Sequence, residues 1–249
     1  VIEHVNHEPE IISTPIFTAY EDSVYRYKVE VSDKDTLVGD ILSYTLTKKP
    51  SWLEISQKGE VVGIARGKDV GDTVVAVRVS DGRGGISSQS YQLKVLHVNH
   101  RPEIVSIPDT VAREDSEYEY RVRAVDVDSA LFGDVVRYRL REGGRWLRID
   151  SVSGRLWGTP GIEDLPEAVV EVEAYDDKGG VGSQRYRLEV RSTNHPPVIV
   201  SVADTIAYED SVYSYRVVVV DEDMRYGRDT IRYRMLVKPE WLEIDTLTG

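Results

Sequence analysis

From Val24 to Val31 the chain alternates without a break: Tyr25, Tyr27, Val29 and Val31 fall on one side, Val24, Arg26, Lys28 and Glu30 on the other. A period of two places successive side chains on opposite faces of a strand, so one face is apolar and the other mostly charged. The pattern returns where Val170, Val172 and Ala174 alternate with Glu171 and Glu173, and where Tyr186, Leu188 and Val190 alternate with Arg187 and Glu189. Such segments are expected to be antiparallel strands with one face on a core and one in water. Glycine-rich breaks at Gly82-Arg83-Gly84-Gly85 and Lys178-Gly179-Gly180 stand at hairpin spacing. No long stretch carries a helical period, and the class is all-β.

The pattern itself repeats. Asn6-His7-Glu8-Pro9 recurs as Asn99-His100-Arg101-Pro102 and Asn194-His195-Pro196-Pro197, and these are the only three asparagines of the chain. Glu21-Asp22-Ser23, with Tyr25 and Tyr27 behind it, recurs as Glu114-Asp115-Ser116 and Glu209-Asp210-Ser211 with their own tyrosine pairs. Trp52-Leu53, Trp146-Leu147 and Trp241-Leu242 mark a third shared block, and all offsets lie between 93 and 95 residues. That is the length of one small sandwich, so the expected architecture is a linear array of Greek-key β-sandwich domains. Residues 1–6 read as the tail of a preceding repeat, 7–99 as repeat 1, 100–194 as repeat 2 and 195–249 as an incomplete repeat 3. Each Trp-Leu tryptophan is expected to plug its core, with the indole N–H bonded to a nearby carbonyl.

Composition narrows the partners. A net charge of −12 over 249 residues repels nucleic acid and anionic membrane surfaces. The absence of cysteine removes disulfides, thiolate metal sites and cysteine catalysis. No apolar run approaches the roughly 18 residues of a membrane helix, so direct insertion by this segment is not expected.

Taken in order, Glu-Asp-Ser-x-Tyr-x-Tyr-x-Val, Asp-x-Asp, Trp-Leu-x-Ile-Asp and Ser-Gly-x-Leu-x-Gly-Thr-Pro resemble the dystroglycan-type cadherin-like repeats, related to the "putative Ig" repeats of large bacterial surface proteins. The second unit carries the fullest version, Trp146 to Asp150 and then Ser153 to Pro160, and the first degrades its end to Gly59-Glu60-Val61-Val62-Gly63-Ile64. The resemblance implies cadherin/Ig-like sandwiches, an extracellular or cell-surface location, and Ca²⁺ at domain junctions. Cadherin linkers read Asp-x-Asn-Asp-Asn-x-Pro. Here both linker aspartates are replaced, by His97 and His100 in one linker and by Ser192 and His195 in the next. A full multi-calcium junction is therefore not expected.

What resembles the outer ion site is more complete. Each unit has an Asp-x-Asp after its tyrosine strand: Asp33 and Asp35, Asp126 and Asp128, Asp221 and Asp223. Asp81 and Asp176 close a later strand, and Asn6, Asn99 and Asn194 stand in the linkers together with the carbonyl after each histidine. Calcium takes six to eight oxygens at about 2.3–2.6 Å, and two aspartates at i and i+2 can converge on one ion. The alternative is that these aspartates only bond their own backbone in turns. The linker histidines read as turn residues, because zinc needs a tetrahedral cluster that one or two of them do not supply.

The expected role is a non-enzymatic stalk, fibre or filament module, stiffened by one Ca²⁺ per junction, whose partners are neighbouring repeats of the same chain or neighbouring subunits. The alternative is a carbohydrate- or protein-binding module on a secreted enzyme, with Trp157 as the candidate contact and Tyr20, Tyr208 and Tyr226 beside it. An enzyme is disfavoured, since the paired carboxylates sit at repeated positions and an active site is rarely copied in every unit of an array. The third unit stops at a position matching Gly154, so a continuing chain, or a neighbouring subunit, is expected to complete it.

Overall fold

A computed structural model describes residues 4–227 and 229–249. It contains two sandwiches in tandem, built from the alternating segments. In the first, β1 (Glu10–Ile11), β2 (Thr18–Tyr20), β3 (Val24–Lys28), β4 (Val31–Ser32), β5 (Ser43–Lys48), β6 (Leu53–Ile55), β7 (Glu60–Ile64), β8 (Gly71–Ser80) and β9 (Ile86–Leu96) follow one another. One sheet runs β2-β9-β8-β5, with β2 parallel to β9; the facing sheet runs β3-β7-β6, and β1 pairs with β4.

The second unit repeats this plan with β10 (Glu103–Ile104), β11 (Val111–Arg113), β12 (Tyr118–Arg121), β13 (Ala124–Val125), α1 (Asp128–Phe132), β14 (Arg137–Glu142), β15 (Arg148–Ile149), β16 (Arg155–Gly158), β17 (Glu167–Tyr175) and β18 (Val181–Arg191). Its sheets run β11-β18-β17-β14 and β12-β16-β15, and even the bulges match, at Leu46/Lys48 and Leu140/Glu142.

The cores are the apolar faces of the alternation. Tyr25, Tyr27 and Val29 are buried while Val24, Arg26, Lys28 and Glu30 are exposed. They meet Leu53, Val61, Val75, Val77, Val79 and Leu93 of the facing strands. In the second unit Tyr118, Tyr120, Leu156, Val170, Val172, Ala174 and Leu188 fill the same places. The tyrosine hydroxyls are satisfied inside this layer: Tyr25 donates to the Ile16 carbonyl at 2.8 Å and Tyr118 to that of Asp109 at 2.7 Å.

The tryptophans depart from expectation in one respect. Trp52 and Trp146 are half-buried and meet Tyr25 and Tyr118 edge-on at 6.3 and 6.2 Å, but both indole N–H groups are buried without a hydrogen-bond partner. The edge-on packing, not a carbonyl, sets the ring orientation. In the third segment β19 (Val198–Ile199) pairs with β20 (Val219–Val220) as β10 pairs with β13. Trp241 there is 65% exposed. Among the described residues no helix is long and apolar enough to cross a membrane.

Candidate metal centre at the repeat junctions

Each Asp-x-Asp follows the short strand that leaves the sheet, at the end of the sandwich where the linker enters. The first aspartate turns the chain: its Oδ1 accepts the backbone N–H two residues on, at 2.8 Å for Asp33, 2.9 Å for Asp126 and 2.9 Å for Asp221. The other oxygen of the same carboxylates, Oδ2, is buried and accepts nothing. Turn-making and a free donor atom thus coexist on one side chain. The second aspartate faces the linker, and Asp35, Asp128 and Asp223 accept the backbone N–H of His7, His100 and His195 at 2.6, 2.7 and 2.7 Å.

The asparagines dock beside them. Asn6 donates Nδ2 to Asp81 at 2.7 Å and Asn99 to Asp176 at 3.0 Å, leaving each Oδ1 buried without a partner. Asn194 instead donates to the His195 carbonyl at 3.4 Å. The Asn6 amide, helped by the backbone N–H groups of Arg83 and Gly85, holds Asp81 below the usual carboxylate range despite its burial. Burial pushes Asp176 up, but the Asn99 amide and the turn N–H groups outweigh it and the net direction is down.

Three aspartates that the sequence reading missed complete the clusters. Asp126, Asp128 and Asp134 each offer an oxygen within 4.8 Å of the others, and Asp221, Asp223 and Asp229 do the same. In the first unit the group is Asp33, Asp40 and Asp81, without Asp35. The available signal was a glycine in the left-handed region just ahead of the missed residue, Gly39 at φ 107°, Gly133 at 75° and Gly227 at 70°, which ends the helical turn. Burying three carboxylates requires a compensating cation. Part of it is internal: Lys178 pairs with Asp134, and Arg83 Nε lies 2.8 Å from Asp40. One positive side chain does not balance three carboxylates, and the partnerless atoms of these aspartates and of the docked asparagines are oxygens. That set fits a hard dication such as Ca²⁺.

The opposite end of each sandwich carries Glu-Asp-Ser, which sequence reading used only as a repeat marker. Asp22, Asp115 and Asp210 have φ of 55°, 57° and 53°, a region that aspartate tolerates better than most residues. The turn brings Glu21 and Glu114, both buried, against the outgoing linker. Glu21 Oε2 lies 2.6 Å from His97 Nδ1, and Glu114 Oε2 accepts the Thr193 N–H at 3.0 Å.

The linker histidines are more than turn residues. His100 Nε2 meets Asp22 of the first unit at 2.9 Å while its Nδ1 meets Asp128 of the second at 3.1 Å. His195 likewise joins Asp115, at 2.8 Å, to Asp223. The Asp115 hydrogen bond raises the His195 pKa; for His100, burial works downward but Asp128 and Asp22 carry the net direction up. Gly67 of the first unit lies where a Cβ would come 2.9 Å from Leu131 and 3.5 Å from Phe132, so the units also touch through apolar atoms.

Of the aromatics, Trp157 is half-buried with the Arg155 guanidinium 5.0 Å over its ring. Tyr20 and Tyr208 are exposed, and the Tyr226 side chain lies outside the described residues, as do residues 1–3 of the expected leading tail.

A family model described as "Putative Ig domain" matches residues 8–96 and again 101–191. No curated protein matches the chain. Among solved structures, the protocadherin GammaB4 extracellular domain is 20% identical, over 100% of this chain and 44% of its own, with a TM-score of 0.49. Human CDH23 EC21-23 is 18% identical, over 86% of this chain and 80% of its own, at 0.46. The endo-fucoidan hydrolase MfFcnA4 of glycoside hydrolase family 107 is 23% identical over 75% of this chain, with a TM-score of 0.32. The chain spans 29% of that hydrolase and under half of the protocadherin.

Proposed function

Because this chain belongs to the "Putative Ig domain" family over both tandem units, we propose that it is a spacer segment of an extracellular or cell-surface protein, held straight by one Ca²⁺ at each junction. Its repeats are taken as 7–99, 100–194 and 195–249, and its partners as neighbouring repeats or neighbouring subunits in a stalk, fibre or filament.

The observation that carries this reading is the set of buried, partnerless oxygens facing each entering linker: Asp33, Asp126 and Asp221 Oδ2, with Asn6 and Asn99 Oδ1. In the second unit Asp126, Asp128, Asp134 and Asp176 would hold the ion with Asn99, and in the first Asp33, Asp35, Asp40 and Asp81 would do so with Asn6. Asp221 and Asp223 with Asn194 mark the third position. When bound, the ion supplies two positive charges that tie linker to sandwich. The chain's own residues do the positioning, since Asp128 holds the linker backbone through the His100 N–H and Asn99 grips Asp176.

Extracellular modules bind calcium with Kd on the order of 10⁻⁴ to 10⁻³ M, and at millimolar calcium the tight end of that range adds about 1.4 kcal/mol per site. That is small against a domain yet enough to restrict a hinge. Thermal unfolding of the chain with calcium and with EDTA tests it: the second unit is expected to melt higher in calcium, and an Asp126→Asn, Asp134→Asn double variant to lose that gain. An unchanged melting point in the native chain would sink the reading.

A further inference from the structure

The first unit carries an exposed apolar patch that the second unit lacks. Ile16, Phe17, Tyr20 and Val24 are each 51–54% exposed, and Ile64 is 38% exposed. None of the five belongs to the core cluster of that unit. Val24 and Ile64 are cross-strand neighbours on the outer face of β3 and β7, and a turn closed by the Ser23 N–H on the Tyr20 carbonyl at 3.2 Å joins Tyr20 to Val24. At the five equivalent positions the second unit has Asp109, Thr110, Arg113, Glu117 and Thr159. Asp109, Arg113 and Glu117 line one groove between β11 and β12, so these positions open onto a common surface. The patch comes with a local loss. Asp109 and Asp204 each accept a backbone N–H two residues on, from Val111 and Ile206, both at 3.1 Å. Ile16 takes that position in the first unit, so a side chain that makes the turn is exchanged for an isoleucine half in water.

Adjoining apolar side chains left in water mark interaction surfaces. We propose that this groove is a contact between two copies of the chain, related by a two-fold axis so that the patch of one faces the same patch of the other. The charges around it select that occupant. Arg26 Nη1 lies 2.8 Å from Glu60 Oε1, and Arg66 pairs with Asp22, so the rim charges are already matched within one copy. A neutral apolar patch is complementary to itself, which is what an isologous contact requires. Elsewhere two copies of a chain with a net charge of −12 repel each other. The second unit's groove sets Asp109, Glu117 and Glu119 against Arg113, with Arg155 bonded to the two glutamates, so two such grooves meet with an excess of negative charge. The proposal rests on the neighbouring-subunit part of the proposed function and is independent of its calcium part.

The test is sedimentation equilibrium of the whole chain in EDTA, across micromolar to millimolar concentration. A reversible dimer is expected. Ile16→Asp and Val24→Glu install the residues that the second unit carries at these positions, so the fold should tolerate them. Each should raise the dimer dissociation constant by about tenfold or more, because a carboxylate is set against apolar atoms. Val212→Glu, at the equivalent position of the third segment, should leave the constant unchanged. The calcium-dependent melting shift should persist in all three variants. A native chain that stays monomeric throughout, a dimer unaffected by Ile16→Asp and Val24→Glu, or one that Val212→Glu dissolves overturns the proposal and leaves the calcium reading where it stood.

Discussion

Asn99 reaches out of the linker to donate its amide to Asp176 at 3.0 Å, the contact that Asn6 makes to Asp81 at 2.7 Å one repeat earlier. The same two residue types, 75 and 77 positions apart in sequence, thus bind the entering linker to the turn between the two longest strands. The carboxylate is nearly fully buried in both units, so the amide is its bridge to the linker as well as part of its solvation.

Removing that bridge has a predicted size. A hydrogen bond to a charged group contributes about 1.5–3 kcal/mol, and truncation leaves the buried carboxylate short of a donor. Asn99→Ala should destabilise the second unit by about that amount in urea unfolding and speed amide exchange at residues 97–102.

Lys178 competes with any ion that enters the second cluster, because its ammonium pairs with Asp134. Lys178→Met should tighten calcium binding by at least tenfold, because a unit charge about 4 Å from a dication is worth roughly 2 kcal/mol even at the dielectric of bulk water. Asp134→Asn should weaken it comparably, and a calcium titration followed by melting temperature separates the two.

The cores are independent, so a lesion in one should stay there. Leu156 and Leu53 are fully buried, one in each sandwich. Leu156→Ala should cost the second unit about 2–5 kcal/mol and leave the first unit's transition in place; Leu53→Ala should do the reverse.

The buried tyrosines give a pH limit. Burial pushes Tyr118 up to about 12 and raises Tyr186 and Tyr25 as well. A phenol that resists ionisation in the fold but ionises freely when unfolded keeps its full contribution below the ordinary value of 10. The contribution is lost as pH rises through the folded value. Tyrosinate absorbance should therefore appear together with loss of near-ultraviolet circular dichroism between about pH 10 and 12, and ionisation of all tyrosines without unfolding would contradict it.

Much of this was legible in the chain. Alternation at Tyr25–Val31 and Val170–Ala174 names the buried face of each strand residue by residue, because a strand has only two faces. The recurring Asp-x-Asp and linker asparagines mark the end of the sandwich where donors gather. Asp40, Asp134 and Asp229 escaped notice because they follow a helical turn that a period of two does not anticipate. Glu21 and Glu114 escaped because their partners arrive from the linker some 76–79 residues later, a closure that only the fold reveals. The unpaired indole N–H groups of Trp52 and Trp146 are a matter of packing, which the sequence pattern does not encode.

The most direct test is small-angle scattering of the native chain and of the Asp126→Asn, Asp134→Asn variant, each in millimolar calcium and in EDTA. A junction fixed by calcium predicts a longer maximum dimension and narrower distance distribution for the native chain in calcium, lost in EDTA and absent from the variant. Superimposable native profiles in the two buffers would contradict the account.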